Sequence, residues 1–177
     1  AFCEEIGIEG LSVTVPHKEN VISSLQTISS EVGEINACNT VVRRGLDWSG
    51  YNTDAIGFKR SLCEFLGVNS LARKKVAIIG AGGAAKAVAY VIKQLRGKAC
   101  VFNRTIGRAR QLAELYGFKF ATLGAENLEM LEEYSDLIVQ TTSVGMGVSD
   151  DNYFDEENNP LSFYHFRGHE AVYDVIY

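Results

Sequence analysis

Three short clusters in the first third of this 177-residue chain carry polar residues that a core would not select. They are Thr14-Val15-Pro16-His17-Lys18, Asn39-Thr40 and Asn52-Thr53-Asp54, each placed where a strand ends or a helix begins. A lysine and an aspartate from different elements can meet in a cleft as an ion pair. Such a pair holds Lys18 where it exchanges a proton with a substrate hydroxyl. Asn and Thr side chains of the same clusters can hold further hydroxyls of a polar substrate. The residue types alone also fit a plain structural account. In that account Asp54 caps a helix, Asn39 serves a turn and Lys18 is solvated in a first helical turn.

A second group of residues has the spacing of a phosphate cradle. Val76-Ala77-Ile78-Ile79 is apolar without alternation, as in a parallel strand covered on both faces. Gly80-Ala81-Gly82-Gly83-Ala84-Ala85 follows. Gly80 permits a tight turn, Gly82 lets a pyrophosphate approach the backbone, and Ala85 keeps the next helix close to the strand. The helix N-terminus then offers N–H groups and a positive dipole end to phosphates. Apolar residues at Val88, Val91, Ile92 and Leu95 predict a helix from about Gly83 to Arg96, stopped at Gly97. A second strand over Lys98–Asn103 completes a βαβ unit. Its exit carries Asn103, Arg104 and Thr105, with Arg108 one turn on. A site for NAD places Asp or Glu there. A planar guanidinium favours the 2′-phosphate of NADP instead. The plainer alternative is a solvated helix start.

These groups need elements to position them. Leu11–Val15 alternates as a strand ended by Pro16, and Lys18–Leu25 reads as a short helix. Thr40–Arg43 and Trp48–Asn52 read as a hairpin about Arg44-Gly45-Leu46-Asp47. Asp54 can cap a helix over Ala55–Leu66 that ends at Gly67. Strand and helix then alternate, with further strands at Phe118–Ala121, Asp136–Gln140 and Glu170–Val175. The expected fold class is α/β. A Rossmann-type doubly wound parallel sheet over residues 56–177 follows a partial α/β substrate domain over residues 1–55. The site then lies in the cleft between them.

Composition removes other classes. The net charge of −5 and the lack of a dense basic patch argue against nucleic acid. No apolar run reaches membrane-spanning length, and the first residues lack a signal pattern. Cys3, Cys38, Cys63 and Cys100 form no C-x-x-C pair and read as reduced residues of a cytoplasmic protein. His165 and His169 are four apart, but Gly168 separates them and no ligand pattern supports a metal. Residues 150–159 read as an exposed acidic loop.

Six motifs occur in order: VTVPHKE from Val13, NACNT from Asn36, GYNTDAIG from Gly50, GAGGAA from Gly80, NRT from Asn103 and TSVGM from Thr142. Together they resemble the shikimate dehydrogenase family over nearly the whole chain, from about Gly10 to Tyr177. Plant-type fusions with a dehydroquinate dehydratase carry a similar module, which would imply a plastid. The resemblance implies reversible reduction of 3-dehydroshikimate to shikimate by NADPH, on the route to aromatic amino acids. It implies Lys18 and Asp54 as the catalytic pair, and Thr14, Asn39 and Tyr177 as contacts to the substrate. It implies Gly80, Ala81, Gly82, Gly83, Ala84, Asn103, Arg104, Thr105, Arg108, Thr142, Ser143 and Met146 as contacts to the cofactor. Two departures stand out. Asn36 and Cys38 replace Gly and Val of the family pattern, Asn being able to adopt left-handed angles, and Gln140 stands where Asn is common.

The family pattern also includes a Ser-x-Ser strand region before this sequence and helices after it. The expectation is therefore a fragment that binds NADPH better than it turns over substrate. Quinate dehydrogenase using NAD(P) is the near competitor, and a non-catalytic nucleotide-binding or regulatory module is the alternative from another class. The sequence leaves the oligomeric state open.

Overall fold

Two sheets organise the chain in the computed structural model, which describes residues 6–145 and 158–175. The first sheet holds β1 (Gly10–Ser12), β2 (Thr27–Ile28), β3 (Thr40–Arg44) and β4 (Asp47–Tyr51), in the order β1-β3-β4-β2. β1 and β4 each pair antiparallel with β3, and β2 pairs parallel with β4. A 3-10 helix (Asn20–Ser24) and helix α1 (Ser30–Ile35) lie between these strands.

After helix α2 (Thr53–Leu66) comes the alternating region. It runs β5 (Lys75–Ile79), α3 (Gly83–Gln94), β6 (Lys98–Asn103), α4 (Ile106–Tyr116), β7 (Lys119–Thr122), α5 (Leu128–Glu133), β8 (Leu137–Gln140) and β9 (Ala171–Asp174). All five strands are parallel, in the order β7-β6-β5-β8-β9. The switch point therefore lies between β5 and β8, where open α/β sheets bind ligands.

The apolar run of β5 has a direct explanation. Val76 and Ile78 pack into one core with α2, α3 and α4, while Ala77 and Ile79 pack into another with Leu131, Tyr134, Leu161 and Tyr164. A strand buried on both faces has no polar side to alternate.

Several local expectations need correction. The N-cap of α2 is Asn52, not Asp54. Asn52 is 2 % exposed; its Oδ1 accepts from Ala55 N–H at 3.1 Å and its Nδ2 donates to the Ala37 carbonyl at 2.8 Å. An ionised carboxylate cannot make the second bond. Helix α3 ends at Gln94, and Arg96 takes the left-handed angle, φ 64°. Gly97 supplies room instead: a Cβ there would meet Ile92 Cγ2 at 2.8 Å and Leu71 Cβ at 3.2 Å. β1 stops at Ser12, and Val13 N–H turns to the Asn39 carbonyl at 2.7 Å.

Candidate active site

Lys18, Asn39 and Asp54 come from three different elements and meet in one network. Lys18 follows β1 and Pro16, Asn39 precedes β3, and Asp54 lies in the first turn of α2. Lys18 Nζ donates to Asp54 Oδ2 at 2.8 Å. Asn39 Nδ2 donates to the other carboxylate oxygen at 2.7 Å and also reaches Thr53 Oγ1 at 2.9 Å. Asn39 Oδ1 accepts from Thr53 N–H at 2.8 Å and from Thr40 Oγ1 at 3.0 Å. Because Asn52 performs the capping, both Asp54 oxygens are available to Lys18 and Asn39. The side chain of Lys18 is 15 % exposed and that of Asp54 36 %, so the pair opens to solvent on the carboxylate side. Thr14 is exposed, directly before the Val15-to-Lys18 segment that closes on this network. Tyr177 lies outside the described residues.

The glycine turn sits beside this network at the switch point. Gly80 has φ 111°, and a Cβ there would come within 2.5 Å of Thr141 Oγ1 on the loop after β8. Thr141 Oγ1 donates back to the Ile79 carbonyl at 2.7 Å. Gly82 is the N-cap of α3 without a side-chain capping bond, and a Cβ there would meet nothing within 4 Å. That open approach to unsatisfied N–H groups fits a pyrophosphate. Gly83 faces the other way: its missing Cβ would stand 3.3 Å from Lys18 Cδ. Ala81, Gly82 and Gly83 line a cleft of about 860 Å³ together with Lys18, Lys86 and Arg108. Ala84 lies in the first turn of α3 beside them.

At the exit of β6, Asn103 Nδ2 donates to the Thr105 carbonyl at 3.0 Å. This shapes the turn into α4, whose N-cap is Thr105. Arg104, Thr105 and Arg108 are exposed; Arg108 reaches the cleft, and Arg104 and Thr105 do not line it. Thr142 is held by Gln140, which accepts its N–H at 2.9 Å and donates to its Oγ1 at 2.8 Å. Ser143 is exposed, and Met146 lies outside the described residues.

The sequence reading missed two polar links. Gln140 is 6 % exposed and folds its amide back on Thr142. Lys86 Nζ pairs with Glu19 Oε2 at 2.8 Å across the cleft. A lysine in the first turn of a helix, against the dipole, was the available signal for the second. Among the described residues no cluster of three or more His, Cys, Asp or Glu could hold a metal. None of their helices is long and apolar enough to cross a membrane.

Strand order and glycine turn together define an α/β protein of the dinucleotide-binding class. Two family descriptions match the chain: "Shikimate / quinate 5-dehydrogenase" over residues 65–158 and "Shikimate dehydrogenase substrate binding domain" over residues 1–41. A shikimate dehydrogenase (NADP(+)) of Shouchella clausii is 37 % identical over 176 residues, covering 97 % of this chain and 60 % of that protein. The crystal structure of shikimate dehydrogenase from Aquifex aeolicus superposes with a TM-score of 0.79 at 31 % identity, covering 99 % of this chain and 61 % of that one. Quinate dehydrogenase from Corynebacterium glutamicum, in complex with NAD, gives a TM-score of 0.76 at 29 % identity, covering 99 % and 62 %. The chain belongs to the shikimate/quinate 5-dehydrogenase family. It spans about 60 % of the length of these relatives.

Proposed function

We propose that the protein carries out the reversible, NADP-dependent reduction of 3-dehydroshikimate to shikimate. The observation that carries this reading is the 2.8 Å Lys18–Asp54 pair with the lysine stem lying on Gly83 of the glycine turn. It brings a proton donor and a dinucleotide cradle to one cleft. When bound, the nicotinamide supplies or accepts the hydride. The residues of this chain do the rest. Lys18 Nζ gives its proton to the reacting oxygen in reduction and takes it back in oxidation. Asp54 holds that ammonium group, and Asn39 holds Asp54. Thr14 and Tyr177 contact substrate hydroxyls. The turn from Gly80 to Ala84 receives the pyrophosphate. Arg104, Thr105 and Arg108 grip the 2′-phosphate after Asn103 has shaped their turn. Thr142, Ser143 and Met146 pass beside the nicotinamide. Residues 1–55 form the substrate side and residues 56–177 the cofactor side, in a cytoplasmic enzyme.

Oxidation of quinate with NAD is the second reading, favoured by the likeness to the Corynebacterium glutamicum structure. Exposed Arg104 and Arg108, with no carboxylate at the exit of β6, favour the phosphorylated cofactor. Titration with NADPH and NADH, then turnover of shikimate and quinate, separates the two. NADPH is expected to bind at least about tenfold more tightly, since one charge-assisted hydrogen bond is worth about 1.5–3 kcal/mol. Replacing both arginines, Arg104→Gln with Arg108→Gln, should erase most of that preference. Equal affinity of the unaltered protein for both nicotinamides would overturn the assignment. In a full-length version, Lys18→Ala is expected to lower kcat by about 10²–10⁴ with NADPH affinity kept. A binding module would show no such loss.

A further inference from the structure

Lys86 occupies a position that helix physics disfavours. It is the fourth residue of α3, in the turn where the dipole already presents partial positive charge. Its side chain is also only 16 % exposed, so water solvates the ammonium poorly. A lysine so placed needs an anion, and the anion is Glu19 at 2.8 Å. Glu19 belongs to a distant part of the chain and is the residue directly after Lys18. The bond therefore ties the segment that carries Lys18 to the helix that opens from the glycine turn.

Two further contacts hold the same segment. The Lys18 stem lies on Gly83, whose missing Cβ would be 3.3 Å from Lys18 Cδ and 3.8 Å from Lys18 Cβ. On the other side the Lys18 carbonyl accepts from Cys38 N–H at 2.7 Å, next to Asn39. The Cys38 bond fixes the backbone of Lys18 relative to the Asn39 loop. The stem contact with Gly83 is apolar and non-directional. Among the described residues, Glu19–Lys86 thus gives a directional link between the Lys18 segment and the cofactor side of the cleft.

We propose that Glu19 and Lys86 are positioning residues, a clamp that keeps the Lys18 stem over Gly83 and its ammonium at Asp54. Its catalytic consequence rests on the reading of Lys18 as the proton donor. Glu19 is half exposed, so the pair adds little to stability. Its effect is on geometry, and a shift of about 1 Å at a reacting group can cost roughly a hundredfold in rate.

The test uses Glu19→Gln and Lys86→Met, with Lys86→Arg as the conservative variant that keeps a cation. Limiting acetylation, read by peptide mass spectrometry, measures Lys18 accessibility against exposed Lys98 as internal reference. Lys18 labelling should rise severalfold in Glu19→Gln and in Lys86→Met, and stay near the unaltered level in Lys86→Arg. In the same two variants kcat should fall by about tenfold, with KM for NADPH little changed. Circular dichroism confirms folding, and exposed Glu19→Gln carries the test alone if Lys86→Met does not fold. Unchanged Lys18 labelling in Glu19→Gln overturns the clamp. Loss of NADPH affinity in Lys86→Met but not in Glu19→Gln also overturns it, because Lys86 would then serve the cofactor directly. If a full-length version turns over neither shikimate nor quinate, the functional reading fails, while the labelling still decides the clamp.

Discussion

Asn39 shows how little freedom the candidate site leaves a single side chain. Both ends of its amide are in use, donating to Asp54 and Thr53 and accepting from Thr40 and from the Thr53 backbone. Asn39→Ala removes the donor from Asp54 Oδ1 and should lower kcat/KM by about ten- to a hundredfold, the equivalent of 1–3 kcal/mol. Activity unchanged in Asn39→Ala would mean that Asp54 needs no second anchor. The glycines of the turn separate in the same way. Gly80 has φ 111° and a Cβ position 2.5 Å from Thr141 Oγ1. Gly80→Ala should cost on the order of 2 kcal/mol in urea unfolding. Gly82 has φ −93° and open space. Gly82→Ala should leave the urea midpoint in place and weaken NADPH binding, because its methyl group enters the cleft. The reverse ranking of the two variants would contradict this division of labour.

At the scale of elements, legibility in the sequence followed burial. β5 could be read because both faces are covered, and α3 because its apolar stripe repeats over three turns. Helix α1 escaped because six residues are too few for periodicity; it stands on the Ser29 cap and on buried Val32 and Ile35. The α2 cap was misplaced because Asn52 and Asp54 are both capping residues, and only the nearby Ala37 carbonyl selects the one that can also donate. Lys18 and Asp54 stood out as polar residues in clusters a core would not select, but their pairing came from the family resemblance. Glu19 with Lys86 did not stand out, since nothing local couples them. Glu170 was read only as the start of a strand, yet its carboxylate anchors the turn into β9. It accepts N–H bonds from Arg167, Gly168 and His169 and a hydroxyl bond from Tyr164. The Arg167 N–H bond leads in holding its pKa down, to about 2 from an ordinary 4.5. A depressed carboxylate pKa stabilises the fold above the unfolded value and loses that contribution as pH falls through the folded one. Glu170→Gln should therefore be less stable than the unaltered protein at pH 7. The gap should narrow from about pH 5 downward and close near pH 2. Thermal melts across that range give the measurement; a gap independent of pH would show that shape rather than charge holds the turn.

Over the whole molecule, the first sheet has too small a core to stand apart. Its own buried cluster is Val32, Cys38 and Val41. Ile35 and Ala37, from α1 and the loop after it, instead join α2, α3 and β5 in the largest core. Tyr116 at the end of α4 reinforces the join by donating to the Glu34 carbonyl at 3.4 Å. Burial in the apolar junction, led by desolvation, lifts the Tyr116 pKa to about 12, so the phenol keeps its proton through the ordinary pH range. With a shared core, the two sheets are expected to unfold as one cooperative unit. The single tryptophan offers a test, because Trp48 lies in β4 of the first sheet while most helix lies in the second region. Trp48 fluorescence and far-ultraviolet ellipticity should give one urea midpoint. NADPH contacts mainly the second region in the proposed function. At about a hundred times its dissociation constant it should add about 2.7 kcal/mol and raise both midpoints together. A fluorescence transition that comes first and ignores NADPH would show that the first sheet melts alone. The Lys18–Asp54 pair would then be assembled only when that sheet docks, and cofactor binding could not by itself preorganise the proton donor.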